Sequence, residues 1–312
     1  MLKKILATLG LIFIFIGLFL MKKDDIFTIF NDYVLKENKV VTIGEKNEYY
    51  RDYDFTFVKN TNNFSPSNYQ DILDIYYTVI NAGKSNFTFY CPKEYTSCID
   101  DIKTLANDQN TLSDINNYVH PYNGFSHIES EYDSLGRVTI NIVRNYTEED
   151  INLINKKIDE LMPQLTSNYN SLETNIKNVH DYIINNARYD SARSDNNVLT
   201  YKSDTAYGPL FQGYAICGGY TDLMQLFLER LNVKNFRVSS DNHIWNVLYI
   251  NNTWKHLDLT WDDPVASDGK DYLEYNYFLI DTNQLLTLEQ TQHNFNLEHY
   301  TELKNAEVKI HP

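Results

Sequence analysis

Two β-rich runs joined by a pair of asparagines constrain this chain more than anything else in it. The first reads Asp241-Asn242-His243-Ile244-Trp245-Asn246-Val247-Leu248-Tyr249-Ile250; after Asn251-Asn252 the second reads Thr253-Trp254-Lys255-His256-Leu257-Asp258-Leu259-Thr260-Trp261. The pattern is that of a hairpin with a two-residue turn. Pairing Ile250 with Thr253 sets Asp258 opposite Trp245 and puts His243 on the same face, one diagonal step away at about 7–8 Å. Register carries this inference, because a slip of one residue sends the two side chains to opposite faces. The hairpin therefore predicts a His243–Asp258 pair.

A second segment supplies what such a pair could activate. Thr205-Ala206-Tyr207-Gly208 is followed by Gln212-Gly213-Tyr214-Ala215-Ile216-Cys217-Gly218-Gly219-Tyr220. Beyond Gly219 the apolar residues Tyr220, Leu223, Met224, Phe227 and Leu231 recur at helical spacing, so Cys217 falls at or just before the first turn of a helix. Free N–H groups and positive potential at a helix start favour a thiolate, and flanking glycines let another backbone or a substrate approach closely. Taken alone, Cys217 is either a small core residue or a nucleophile. With the hairpin it completes a nucleophile, base and orienter set: Asp258 holds the imidazole of His243 in the tautomer that turns its other nitrogen to the thiol. His256 shares that face and is the rival base, expected at the rim. A metal site built from His243, His256 and Asp258 would leave Cys217 unexplained, so no metal is expected. His120, His127, His180, His293, His299 and His311 have no carboxylate or thiol partner that spacing supports and stand outside the expected site.

The N-terminus sets the compartment. Lys3 and Lys4 precede an uncharged run from Ile5 to Met21, closed by Lys22-Lys23-Asp24-Asp25. Apolar all round and behind a basic cap, residues 1–23 read as a signal peptide or a membrane anchor, with residues 5–21 as the span. The absence of a convincing small-x-small cleavage site favours the anchor, whereas Lys22 and Lys23 run against its inside orientation. The body is thus expected at the cell membrane, facing outside, or secreted. Cys91 and Cys98 are there either a disulfide or two small buried side chains.

With 312 residues the chain makes one large or two modest domains. It carries 27 basic and 42 acidic residues, for −15; four lysines and no acid lie in residues 1–23, so the remainder carries −19. Phosphate backbones meet a poor surface there, and nucleic acid is excluded as a partner. Composition, 43% apolar and 14% aromatic, is globular. Residues 24–60 read as an extended stalk. A small α/β unit follows, with helices at 69–82, 98–106 and 112–119 and strands at 87–90 and 137–143. A helix from 149 to about 161, ended by Pro163, and another over 171–186 lead into the site. The boundary is expected near residue 147, dividing an N-terminal α/β region, 24–147, from a catalytic domain, 148–312.

From about Val179 to Asp281 the sequence resembles the transglutaminase-like superfamily, papain-fold enzymes with a Cys–His–Asp triad. Tyr189-Asp190 with Thr205-Ala206-Tyr207-Gly208 looks like the family's approach to its nucleophile, and Gly213 to Tyr220 like its glycine-flanked cysteine. His243-Ile244-Trp245-Asn246 looks like its histidine strand; Leu257-Asp258-Leu259-Thr260-Trp261-Asp262 is similar to its Asp-Pro-Thr-Trp-Asp segment, with Leu259 where the family often has Pro. The N-terminal unit is similar to regions that precede this domain in bacterial surface proteins. The resemblance implies an α+β fold, a papain-like core with the nucleophile at a helix start packed on an antiparallel sheet that carries His and Asp. It implies cysteine-dependent acyl transfer on protein or peptide amides without a cofactor, with Cys217, His243 and Asp258 as triad. Gln212, Tyr214, Gly218 and Trp245 are its expected oxyanion and substrate groove. The rival class is a non-catalytic cell-surface binding or scaffold module that keeps the fold.

Overall fold

Helix α1 (Tyr69–Asn81) starts where the side chain of Asn68 accepts the N–H of Asp71, and it buries Ile72, Ile75, Tyr76, Val79 and Ile80. In the computed structural model, which describes residues 41–265, 272–288 and 291–307, it packs beside a three-stranded antiparallel sheet of order β1-β3-β2 (Asn86–Tyr90, Arg137–Arg144, Phe125–Tyr132). Helices α2 (Cys98–Asn107) and α3 (Gln109–Asn117) complete this layer. A disulfide joins Cys91, just past β1, to Cys98 at the start of α2, with Cα atoms 5.8 Å apart; of the two readings the sequence left open, it selects the bridge. Strand β2 was not foreseen. The stretch expected as a stalk lies outside the described residues as far as residue 40, as does the run at 5–21; among the described residues no helix is long and apolar enough to cross a membrane.

From residue 41 to 60 the stalk expectation is overturned. The segment has no helix or strand, yet Phe55 and Val58 are buried and Arg51 is a buried cation. Arg51 pairs with Glu229 and donates to Tyr118 O at 3.1 Å and Asn235 O at 2.9 Å. Its backbone exchanges bonds with the Asn81 side chain at 3.0 and 2.9 Å. Side-chain amides take the place of a β-ladder there, so no periodicity shows in the sequence.

Thr147 and Asp150 form a capping box at the start of α4 (Glu148–Leu165). That helix runs two residues past Pro163, contrary to the expected stop. So near a C-terminus Pro163 forgoes only its own amide bond, and Thr166 N–H still closes on Met162 O at 2.9 Å. Helix α5 (Leu172–Asn186), capped by Ser171, leads to the short parallel pair β4 (Arg188–Tyr189) and β5 (Tyr214–Ala215), with α6 (Ser191–Asn196) between them. Helix α7 (Cys217–Arg230) is central, with every residue from Gly219 to Leu228 buried. It shares a core with Ile176, Val179, Ile183 and Ile184 of α5. Over it lies a four-stranded antiparallel sheet, β6 (Asn235–Ser239), β7 (Ile244–Ile250), β8 (Thr253–Leu257) and β9 (Phe278–Ile280) in that order. Short helices α8 (Leu259–Asp262), α9 (Thr282–Thr287) and α10 (Thr301–Glu307) complete the described residues.

Described residues from Ile43 to Tyr132 and from Gly136 onward form one compact unit, and residue 147 is a helix cap within it. A buried network centred on Asp222 of α7 draws these layers together. Asp222 accepts from Arg237 of β6 and from the Tyr146 hydroxyl, each at 2.7 Å, and Tyr146 OH in turn accepts Ala206 N–H at 2.8 Å.

Candidate active site

Cys217 is the first residue of α7. No side chain caps that helix; Ile216 O accepts the N–H groups of Gly219 and Tyr220 at 2.9 and 3.2 Å, which leaves those of Cys217 and Gly218 as its open donors among the described residues. The glycines have a steric reason. A Cβ on Gly219 would stand 2.3 Å from Ser203 O, and one on Gly218 would stand 3.0 Å from Asp204 O. The approaching backbone is therefore the 202–205 loop, which accepts Ile216 N–H on Ser203 O at 2.8 Å. Gln212, expected at the oxyanion, holds this loop with its amide oxygen, which accepts Lys202 N–H at 2.8 Å. Tyr214 stacks on Tyr201 at 4.2 Å.

The hairpin has the expected register: Ile250 faces Thr253 and Asn246 faces Leu257, with Asn251 and Asn252 at φ 53° and 61° as a two-residue turn of this kind requires. His243 stands just before β7 and Asp258 just after β8. His243 Nε2 donates to Asp258 Oδ2 at 2.6 Å, while Asp258 Oδ1 accepts Thr260 N–H at 3.0 Å and Trp261 N–H at 3.3 Å. Thr221 ties the sheet to the helix: its hydroxyl donates to Ile244 O and its carbonyl accepts from Asn246 Nδ2, both at 3.0 Å. Thr221 lies four residues beyond Cys217, on the same face of α7, so the bonds that dock β7 also bring His243 over the thiol.

Burial alone would push the imidazole of His243 down. The charge of Asp258 and its hydrogen bond, followed by the hydrogen bond with Cys217, outweigh burial and raise it to about 10. Since Nε2 is committed to Asp258, Nδ1 is the nitrogen left for the thiol. Asp258 is itself disfavoured by burial, but His243 and the bonds it receives hold its carboxyl well below the usual carboxylate range. The His243–Asp258 attraction is thus fully present below the ordinary 6.5 of histidine and is lost as pH rises through about 10. On the acid side it is lost as pH falls through the depressed value of Asp258. NMR of ring-labelled histidine is expected to show His243 titrating near 10, and an ordinary midpoint would contradict this electrostatic reading.

Three expectations change. His256 is not at the rim: it is fully buried, accepts the Trp245 indole N–H on Nδ1 at 2.9 Å, and donates from Nε2 to Thr282 Oγ1 at 3.1 Å. Burial drives it down to about 3, so it is a neutral strut and no rival base. Trp245 is likewise fully buried; it stacks behind His243 at 5.6 Å and does not border a groove. His293, set aside by the sequence, has a carboxylate partner after all, since its Nε2 donates to Asp258 Oδ2 at 2.9 Å. His180, His299 and His127 also meet carboxylates: His180 meets Asp262 at 3.2 Å and its neighbour Asp181 at 3.0 Å, His299 meets Asp114 at 2.6 Å, and His127 meets Glu129 at 3.0 Å. The pairings with Asp258, Asp262 and Asp114 span 35, 82 and 185 residues, and local spacing holds no signal for them, whereas Glu129 and Asp181 stand within two residues of their histidines.

Among the described residues, His243, Asp258 and His293 are the cluster whose ligand-type atoms lie within 4.8 Å of one another. Their N–O separations of 2.6 and 2.9 Å are those of hydrogen bonds. They are shorter than the edge of about 3.3 Å that four ligands at metal-bond length would span.

A groove of about 570 Å³ opens at His243, bordered by Tyr189, Asn242, Trp261, Asp263 and Val265. Tyr189 donates to Ser194 Oγ at 3.1 Å; burial first, and then nearby groups including Cys217, raise its phenol.

No protein-family model matches this chain, and no curated protein does. Among solved structures the chain is similar to a TGase, at 15% identity over 47% of this chain and 48% of that one, with a TM-score of 0.31. It is also similar to a candidate cysteine protease from Cytophaga hutchinsonii, at 14% identity over 43% of this chain and 61% of that one, with a TM-score of 0.27. The chain thus spans about half the length of the first and less than two thirds of the second.

Proposed function

We propose that this protein is an extracytoplasmic cysteine acyltransferase or amide hydrolase of the transglutaminase-like type, acting on protein or peptide amides. The observation that carries the reading is the alignment of Asp258, His243 and Cys217, with a carboxylate on one imidazole nitrogen and a helix-start thiol on the other. Cys217 sulfur attacks the carbonyl carbon of a carboxamide. The oxyanion forms beside the open N–H groups of Cys217 and Gly218. His243 gives its Nδ1 proton to the departing nitrogen, so ammonia or an amine leaves and a thioester remains. Water or a second amine then attacks the thioester, giving its proton to His243 as the sulfur leaves. The uncharged run at 5–21 and the Cys91–Cys98 bridge support a location outside the membrane. The acidic body suits a polypeptide substrate at the cell surface better than a nucleic acid.

The test uses the full chain with glutamine-containing peptides, following ammonia release, incorporation of a labelled primary amine, and peptide cleavage, beside Cys217→Ala. At least one of these is expected and is lost in the variant. If none depends on Cys217 while the chain still binds cell-surface protein, the binding-module reading replaces this one.

A further inference from the structure

We propose that His293 is a positioning residue of the site, holding the Asp258 carboxylate against His243 through its own Nε2–H; the inference rests on the acyl-transfer reading above. Asp258 Oδ2 takes two imidazole donors, His243 at 2.6 Å and His293 at 2.9 Å, while backbone N–H groups fill Oδ1. The carboxylate thus has four donors and little freedom to turn. Among the described residues His293 has no second polar partner: its Nδ1 is buried without one. The ring lies parallel to Tyr277 at 4.9 Å, edge-on to Trp245 at 4.9 Å, and tilted on Trp261 at 5.6 Å. Among the described residues a proton on Nδ1 would meet no acceptor in that cage, whereas Nε2–H meets Asp258, so His293 serves as a donor to that carboxylate.

The groups that face His293 are Asp258, His243 at 5.4 Å between ring centres, His256 and Tyr277, with Asp262 behind the Tyr277 backbone. His293 is also anchored from outside the site. The neighbouring Gln292 O accepts from Ser240 Oγ at 2.6 Å, on the turn that leads to His243, and Phe295 packs on Trp245 at 5.7 Å. The same C-terminal segment that carries the donor is therefore fastened to the turn that carries the base.

A donor on a carboxylate fixes its orientation as well as favouring its charged form. With His243 and two backbone N–H groups still beside it, Asp258 stays ionised from pH 5 to 9 when His293 is removed, so orientation is what is lost. The experiment follows the rate of Cys217 alkylation by iodoacetamide from pH 5 to 9 in the full chain. It compares wild type, His243→Ala, His293→Phe, which has no donor, and His293→Gln, whose amide reaches where Nε2 stood. His293→Phe is expected to be about tenfold slower across the whole range, the size of one lost charge-assisted bond, because the orientation of Asp258 and not its charge is lost. His293→Gln should stay within about twofold of wild type. If the Phe variant does not fold, His293→Asn, too short to reach Asp258, takes its place in the comparison. A wild-type curve in the donor-less variant, beside a changed curve in His243→Ala, overturns the proposal and leaves the acyl-transfer reading standing. A Gln variant as impaired as the Phe variant also overturns it, because packing would then be the cause. Identical curves for wild type and His243→Ala would remove the underlying reading, and this proposal with it.

Discussion

Asp258→Asn is expected to slow amide turnover by about 10³- to 10⁴-fold with the fold retained. The size follows from tautomers rather than from lost charge alone. Two backbone N–H groups, of Thr260 and Trp261, aim at Oδ1, so an asparagine must place its carbonyl oxygen there. Its NH2 group then faces His243 Nε2 and His293 Nε2, where both rings now donate. Each ring must move its proton to Nδ1 to accept instead. His243 would then present N–H to the thiol where a lone pair is needed, and His293 would carry a proton into a cage without an acceptor. The Asp258 attraction, the largest of those that raise His243, disappears at the same time, and only Cys217 is left to oppose the burial that lowers the ring. kcat/KM measured beside wild type decides the point, with near-UV circular dichroism to verify packing. A loss smaller than about tenfold would mean that Asp258 does not orient the base.

Asp222→Ala should cost about 3–5 kcal/mol, a large part of the roughly 5–15 kcal/mol by which domains are stable. Asp222 and Arg237 are 4% and 3% exposed, and they meet at 2.7 Å inside the junction of α7 and β6. Removing the carboxylate leaves a buried guanidinium without a counter-charge. It also frees the Tyr146 hydroxyl, which holds Ala206 at the entrance to the nucleophile segment. Replacing both charges, Asp222→Leu with Arg237→Met, is expected to recover most of the loss, because an apolar pair of similar volume removes the unpaired ion. Urea unfolding of the three proteins checks this. A single variant within about 0.5 kcal/mol of wild type would show that the network does not bear on stability.

What could be read from the sequence was what depends on short-range periodicity. The asparagine turn fixes the β7–β8 register, and strand alternation then places His243 and Asp258 on one face; helical spacing beyond Gly219 puts Cys217 at a helix start. Alternation reveals a face but not what covers it, which is why His256 read as a rim residue. Thr282 and Phe295, from beyond β9, close over it. His293 was lost for the same reason: its partner lies 35 residues upstream, and only tertiary packing joins them. Strand β2 exposes most of its residues, so it lacks the apolar alternation that marked β3. The glycines at 218 and 219 were read correctly as sites of close approach, but the partner is this chain's own 202–205 loop.

The central claim is that Cys217 and His243 act as one unit. The most direct test is the rate of Cys217 alkylation against pH in wild type and in His243→Ala, with the label located by mass spectrometry. The expected result is a reactive plateau in wild type that extends to the acid side of neutrality and disappears with His243. The same rate–pH curve in both proteins, or a Cys217 that takes no label in either, would contradict it.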